Sequence, residues 1–320
     1  MRPFRPRGLA LAALLLMLSI LAGCGATPHS DRLLAGPSAD LPPRHELTEV
    51  PFHPQEAYQC GPAALATVLQ HSGVDTSPEA LEPRIYVPGR QGSFQVEILA
   101  ATRRAGRLAH LIAPDLEALL RAVAAGQPVL VLQNLGLDWY PQWHYAVVVG
   151  YDLAKRQVVL RSGVTERYHM PLKLFERTWR RGELWGMVAL APGELPVDDD
   201  GKGYFLSAAA FERSASPDQA GKAWRAGVAR WPRNVPLLMG DGNFRYGQGD
   251  YSGAEARFRA ATEQDPSYAP AHNNLAQALL AQGRFDAAAQ SARRAVELGG
   301  PHMDAYRATL DAAEAGRAGR

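Results

Sequence analysis

The feature that most constrains the fold of this 320-residue chain is a 34-residue repeat in its C-terminal part. Gly249 and Gly283 occupy equivalent positions in the strings QGDYSGAEARFRAA and QGRFDAAAQSARRA. Pro232 and Pro266 are also 34 residues apart. A period of this length accommodates a helix, a turn and a second helix, and such units become stable by stacking on their neighbours. The sequence therefore predicts a C-terminal array of stacked helices.

The composition of this part supports a helical structure. Residues 201–320 contain 28 Ala, three Val and no Ile, so good helix formers replace the β-branched residues that favour strands. The pattern resembles the tetratricopeptide repeat, with units at 235–268 and 269–302, a degenerate unit at 201–234 and a capping helix at 303–315. An unrelated Ala-rich helical bundle is the alternative.

The resemblance implies a concave inner surface that binds a protein partner or an extended peptide. The inner helices would present polar side chains there, namely Asn243, Arg245, Asn273, Asn274 and Gln277. A solvated helix face would have a similar composition, so a purely structural spacer remains open.

The N-terminus predicts export and lipid anchoring. Arg2, Arg5 and Arg7 precede an apolar run at 8–23, as in a secretion signal. The sequence before Cys24 resembles a bacterial lipobox, which implies cleavage after residue 23 and a lipid on Cys24. Gly25 after the cysteine favours the outer membrane, facing the periplasm, over the inner one. An uncleaved membrane anchor is the alternative, because the run is close to the minimum length for a membrane span.

Charge and composition exclude some classes of function. The formal charge of +2 falls to −1 without the three arginines of the signal, so we expect no binding of nucleic acid.

We predict five segments along the chain. They are a signal peptide at 1–23, a flexible tether at 24–46, a domain at 47–192, a linker at 193–202 that includes the solvated Asp198–Asp200 run, and the repeats at 203–320.

The domain at 47–192 combines helical and strand patterns, which predicts an α+β fold. Helices are predicted at 61–71, 93–105 and 115–125. Valine-rich runs at 128–133, 144–151, 156–162 and 183–190 predict strands. The connection near Lys155 is too short for a crossover helix, so the sheet is predicted to be largely antiparallel.

Cys60 is the candidate nucleophile. It directly precedes Gly61, Pro62 and an unbroken helical run, and proline favours the first turn of a helix. At a helix N-terminus, backbone N–H groups and the positive end of the helix dipole stabilise a thiolate, so the sequence predicts a lowered pKa for this thiol. A buried structural cysteine is the alternative.

His144 is the candidate base, because it opens a strongly predicted strand where an imidazole could face a helix N-terminus. A zinc site is not predicted, since Cys60 has no second ligand at ligand spacing, and no other metal or cofactor is expected.

Together, these residues resemble a known peptidase family. The string from Gln55 to Cys60-Gly61-Pro62-Ala63-Ala64-Leu65, with the distant His144, is similar to the papain-like bacteriocin-processing (double-glycine leader) peptidases. The resemblance implies Cys60 as nucleophile, His144 as base and Gln55 as oxyanion-hole donor; the adjacent Gln59 is less suitable. The family's orienting Asp is missing, and Ser162 is predicted to orient the imidazole instead.

Three hypotheses follow from the sequence. The first is a membrane-anchored, periplasm-facing cysteine peptidase that hydrolyses peptide bonds in a peptide or protein substrate, with repeats that bind a partner or present the substrate. The second is a peptidase-like binding or assembly lipoprotein without catalysis. The third is a cysteine-dependent acyl transferase, which would differ from a hydrolase by excluding water.

Overall fold

The computed structural model describes residues 26–54, 59–90 and 92–319. The chain divides into two compact units. The first comprises the chain up to His71 together with Thr76–Ser93 and Ile112–Met187. The second comprises Ser72–Asp75, Phe94–Leu111 and Val188–Arg320.

The first unit is built on an antiparallel sheet, as the valine-rich runs predict. Its strands are β1 (Arg44–Glu46), β5 (Val129–Asn134), β6 (Trp143–Asp152), β7 (Gln157–Ser162), β8 (Thr165–Pro171) and the start of β9 (Gly186–Leu190). They are ordered β9-β5-β6-β7-β8, with β1 paired to β6. Strands β5, β6 and β7 are buried along most of their length because valine and leucine occupy both of their faces.

Helices of the first unit cover this sheet. They are α1 (Pro28–Ala35), α2 (Cys60–His71), α3 (Pro78–Ile85), α5 (Leu116–Ala124) and α6 (Leu172–Arg181). The short strands β2 (Tyr86–Val87) and β3 (Gly92–Ser93) form a separate hairpin, with a 3-10 turn at Pro88–Arg90 between them. Helix α2 contacts β5, β6 and β7, and its residues from Gly61 to Leu69 are all buried. The sequence prediction of an α+β domain is confirmed.

The segment predicted as a flexible tether departs from that prediction from Pro28 onward. Residues 28–35 form helix α1, which contacts α5 and α6 and buries Leu33. The buried carboxylate of Glu176 accepts hydrogen bonds from the backbone N–H groups of His29 at 3.1 Å and Ser30 at 2.6 Å. A carboxylate there satisfies N–H groups that the first helical turn leaves unpaired, and it complements the helix dipole. Local composition could not reveal this partner, which lies more than 140 residues away.

The second unit is mainly helical. It contains α4 (Gln95–Arg104), β4 (Leu108–Leu111) and the C-terminal helices α7 (Lys202–Glu212), α8 (Pro217–Arg230), α9 (Val235–Gly247), α10 (Tyr251–Gln264), α11 (Ala269–Ala281), α12 (Phe285–Leu298) and α13 (Met303–Ala318). Equivalent helices α9 and α11 begin 34 residues apart, as do α10 and α12. Buried alanines, among them Ala254, Ala261, Ala288 and Ala295, allow consecutive helices to approach closely. The predicted helical repeats are confirmed.

Two polar predictions for the second unit are wrong. Asp199, expected in a solvated linker, has a side chain that is only 5% exposed, and its Oδ2 lies 3.3 Å from Nε2 of buried His110. Asn273, expected on the inner binding surface, is buried as well. By contrast, Nδ2 of Asn274 donates to Oδ1 of Asn243 at 2.9 Å, so these two amides already pair with each other.

In the described ranges, no helix combines the length and the apolar character needed to cross a membrane. The predicted signal and Cys24 lie outside the described residues.

Candidate active site

Cys60 is the first residue of helix α2, as the Gly-Pro sequence after it predicts. Gly61 packs against β3 so closely that a Cβ atom at this position would overlap Oγ of Ser93. Only glycine therefore permits this contact between the helix N-terminus and the β2–β3 hairpin. The close packing fixes the position of the cysteine relative to the rest of the unit.

His144 is the second residue of β6 and pairs with Gln133 of β5. The next residue, Tyr145, contributes a backbone hydrogen bond to the Cys60 sulfur. Its ring packs edge-on against Trp185, and its hydroxyl donates to the carbonyl oxygen of Ser93 at 3.2 Å. Tyr145 therefore lies beside the cysteine, and His144 directly precedes Tyr145 in β6.

Ser162, at the end of β7, contacts the imidazole of His144. Its Oγ lies 2.8 Å from Nε2 of His144, within hydrogen-bonding distance. This bond occupies Nε2, so Nδ1 is the nitrogen that could accept a proton from a thiol. The contact has the geometry expected of an orienting residue, and the catalytic role of Ser162 stays a prediction.

Burial determines the charge state of this pair. It raises the pKa of the Cys60 thiol, although hydrogen bonds from the backbone of Tyr145, Gly61 and Cys60 itself act in the opposite direction. Burial also lowers the pKa of His144. The sequence predicted a lowered thiol pKa from the helix N-terminus and His144, and in the folded chain the loss of solvation is the larger effect. Both shifts favour the uncharged forms, the thiol of Cys60 and the neutral imidazole of His144.

Other candidate residues have different surroundings. Gln55, the predicted oxyanion-hole donor, lies outside the described residues. The side-chain amide of Gln59 donates to Glu82 of α3 at 3.5 Å, which agrees with its being the less suitable donor. Asn134, which could also be considered as a partner of His144, uses its Oδ1 to accept from the backbone N–H groups of Gly136 and Gln142, both at 2.9 Å.

Ser93 is a neighbour of the site that sequence reasoning missed. Its Oγ is buried and has no hydrogen-bond partner among the described residues, and it lies against the N-terminus of α2. The sequence offered no signal for it, because β3 is a two-residue strand without a motif.

A groove of about 620 Å³ lies away from this site, towards the other end of β6. Charged side chains line it, including Arg44, Glu46, Asp152 and Arg167. The bidentate pair of Arg167 with Glu46 occupies part of this surface. Within the part of the chain that the structure describes, no cluster of three or more His, Cys, Asp or Glu side chains could hold a metal ion.

Comparisons with known families identify both parts of the chain. Residues 47–183 match the model of the Peptidase_C39 like family, and residues 242–302 match a tetratricopeptide repeat model. No curated protein has a matching sequence.

Three solved structures are similar to parts of this chain. A protein from Bacillus anthracis described as a C39-like peptidase is 20% identical, with 46% of this chain and 97% of that chain covered and a TM-score of 0.40. The type III secretion translocator chaperone SycD of Yersinia enterocolitica is 19% identical, with a TM-score of 0.34. The alignment covers 36% of this chain and 83% of the SycD chain. The TPR2B domain of yeast Sti1, in a complex with pHsp70, is 17% identical, with a TM-score of 0.34. The alignment covers 36% of this chain and 96% of the Sti1 chain.

Proposed function

This chain carries a papain-like, C39-like peptidase domain followed by tetratricopeptide repeats, and on that basis we propose that it is a cysteine peptidase that hydrolyses peptide bonds with Cys60 and His144. The observation that carries the proposal is the hydrogen bond between His144 and Ser162. In the same strand, His144 is followed directly by Tyr145, whose backbone hydrogen-bonds to the Cys60 sulfur. A nucleophile, a base and an orienting group in this arrangement are the parts that acyl transfer requires.

The neutral resting pair determines how the reaction would proceed. His144 Nδ1 accepts the thiol proton as the Cys60 sulfur attacks the substrate carbonyl carbon, and the imidazolium then gives this proton to the departing amine. A thioester remains on Cys60. Water attacks this thioester, with His144 again as the base, which releases the acid and restores the thiol. In this proposal, N–H groups at the start of α2 stabilise the oxygen that becomes charged, and Gln55 is the side-chain donor.

The experiment that tests this function uses the purified full chain and a pool of fluorogenic peptides. We expect cleavage by the unchanged protein, its loss in Cys60→Ala and a strong decrease in His144→Ala. A covalent acyl adduct on Cys60, detected by mass spectrometry after acid quenching, would identify the intermediate. The matched control is Ser72→Ala, a small substitution beyond the C-terminal end of α2. Equal cleavage by the protein and by Cys60→Ala would exclude the proposal.

A second candidate is a peptidase-like protein that binds peptides without cleaving them. The raised pKa of Cys60 and the lowered pKa of His144 favour it, because neither group is pre-ionised. Retention of peptides by the protein without any product or acyl adduct would support this candidate. Transfer of the acyl group to an added amine instead of water would indicate an acyl transferase.

The tetratricopeptide repeats indicate interaction with other proteins. We propose that their partner is a protein or peptide presented to the peptidase domain. The double variant Asn243→Ala/Asn274→Ala tests this role, since it removes the paired amides and leaves the buried alanine contacts intact. Loss of partner capture without a change in helical content is the expected result.

We also propose that the chain is anchored in the outer membrane by a lipid on Cys24, facing the periplasm. The basic residues, the apolar run and the lipobox-like sequence at 21–24 support this location. Cys24→Ala should leave the precursor uncleaved and prevent labelling with a radioactive fatty acid. A variant that matures to the same mass would contradict the proposal.

A further inference from the structure

The loop between β5 and β6 exposes an unusual number of large apolar side chains. We call these five the apolar crown: Leu135, Leu137, Trp139, Tyr140 and Trp143. They are between 46% and 81% exposed, and Trp139 is the most exposed of them. Residues 135–143 contain a single charged residue, Asp138. Surface loops are usually polar, and clustered apolar groups on a surface typically mark a site of interaction.

The loop is held in a fixed conformation despite this exposure. The backbone N–H of Leu135 donates to the carbonyl of Gln142 at 2.9 Å, and Leu137 and Tyr140 exchange two hydrogen bonds of 3.1 Å. The side chain of Asn134 closes the base of the loop by accepting from two backbone N–H groups. At Gly136, a Cβ atom would overlap the carbonyl oxygen of Tyr140. The loop is therefore unable to collapse onto its own apolar side chains, and it presents them to a partner at little cost in conformational entropy.

The apolar crown is adjacent to His144 along the chain. Trp143 directly precedes His144 and pairs with Asn134 in the β5–β6 ladder. The turn between β7 and β8 lies at the same end of the sheet, because β7 runs antiparallel to β6 and ends at Ser162. This turn carries Val164, which is 80% exposed. The two connections that carry these exposed apolar side chains therefore adjoin His144 and Ser162, the two residues of the hydrogen bond.

We propose that the apolar crown binds bulky apolar side chains of the peptide substrate next to the scissile bond, so that it determines which sequences are cleaved. This inference rests on the proposed function and adds the substrate class: peptides with leucine, phenylalanine or similar residues near the reacting carbonyl. Tryptophan and tyrosine provide large, rigid contact areas, and such residues dominate the binding energy of many protein interfaces.

The surroundings favour a peptide over a membrane surface as the occupant. The loop has no Lys or Arg to attract anionic lipid headgroups, and its one charge, Asp138, would be repelled by them. Insertion of the apolar crown into a bilayer would also place His144 and Ser162 against the lipid, which would close the site to its substrate. A peptide that runs along the loop keeps its reacting carbonyl within reach of Cys60.

The test measures binding separately from catalysis. In the full chain with Cys60→Ala, the affinity of a fluorescein-labelled decapeptide of alternating leucine and serine is compared with that of an all-serine decapeptide. We expect the leucine peptide to bind at least tenfold more tightly, and Trp139→Ser/Tyr140→Ser to abolish this preference. The matched control is Leu206→Ser, which removes a 60% exposed apolar side chain elsewhere. Equal affinities of the two peptides, or a preference that survives the double variant, would overturn the proposal.

Two further measurements identify other occupants. Binding to phosphatidylcholine vesicles that the double variant abolishes, without a preference for the leucine peptide, would make the apolar crown a membrane contact. A dimer that the double variant converts to a monomer, again without that preference, would make it a self-association surface. Either result would overturn the proposal. If the leucine peptide binds but the chain with intact Cys60 never cleaves it, the binding site stands and the proposed hydrolysis fails.

Discussion

Nε2 of His144 and Oγ of Ser162 lie 2.8 Å apart, so the imidazole is oriented by a neutral hydroxyl group. A hydroxyl can fix the tautomer of the ring, but it stabilises the imidazolium less than a carboxylate does. Substitutions of Ser162 can therefore measure how much the residue that orients His144 contributes to activity.

For this reason, we expect Ser162→Ala to lower kcat/KM about fivefold, because a neutral hydrogen bond contributes about 1 kcal/mol. Ser162→Asp should leave activity unchanged or raise it, and it should move the acidic limb of the pH–rate profile to higher pH as the carboxylate raises the pKa of His144. Ser162→Asn is the control for shape, because asparagine has the same size as aspartate but carries no charge. If Ala and Asp variants both match the unchanged protein, another group orients His144.

The pH dependence of thiol reactivity tests the effect of burial. Because burial raises the pKa of Cys60, the pH midpoint of its alkylation by iodoacetamide should lie above the ordinary thiol pKa of about 8.5. Because burial lowers the pKa of His144, the base stays neutral down to a pH below 6.5, and peptide cleavage should decline only under more acidic conditions. Alkylation of the urea-unfolded chain provides the reference. A midpoint below about 8.5 in the folded protein would instead indicate a thiolate–imidazolium pair.

Glu176 should hold helix α1 in place. Glu176→Ala leaves the half-buried N–H of His29 and the buried N–H of Ser30 without an acceptor, at a cost of about 1–3 kcal/mol for the buried group. Trypsin cleavage after Arg32 should then become at least tenfold faster, as followed by mass spectrometry. Asp31→Asn is the matched control, since it removes only the exposed ion pair with Lys173 and should change the rate much less. Equal cleavage rates in both variants would show that α1 does not depend on this carboxylate.

Asp241 should stabilise the repeats. Its buried carboxylate accepts from Nε of Arg245 at 3.1 Å and from Nε of Arg257 at 2.7 Å. Asp241→Ala leaves both arginines without this partner and should destabilise the helices by about 3–5 kcal/mol. Hydrogen exchange of peptides from α9 and α10 would measure the loss. Asp250→Ser, which keeps an N-cap residue at the start of α10, is the control and should cost less than about 1 kcal/mol. Unchanged exchange in Asp241→Ala would refute this assignment.

Local sequence patterns were sufficient where the structure depends on neighbouring residues. The 34-residue period predicted the paired helices α9 to α12, because each unit contacts mainly the next one along the chain. The Gly-Pro sequence after Cys60 predicted the start of α2 for the same reason. The valine-rich runs predicted β5, β6 and β7, since a strand buried on both faces needs apolar residues at every position.

Contacts between distant segments decided what the sequence could not. Helix α1 depends on Glu176, and the burial of Asp199 depends on His110, so the composition of either segment alone predicts a solvated loop. The sequence by itself determined that Cys60 begins a helix and that His144 begins a strand. Only the tertiary structure placed Tyr145 beside Cys60 and partly buried the thiol. Because a charge loses hydration on burial, this reversed the expected direction of the Cys60 pKa.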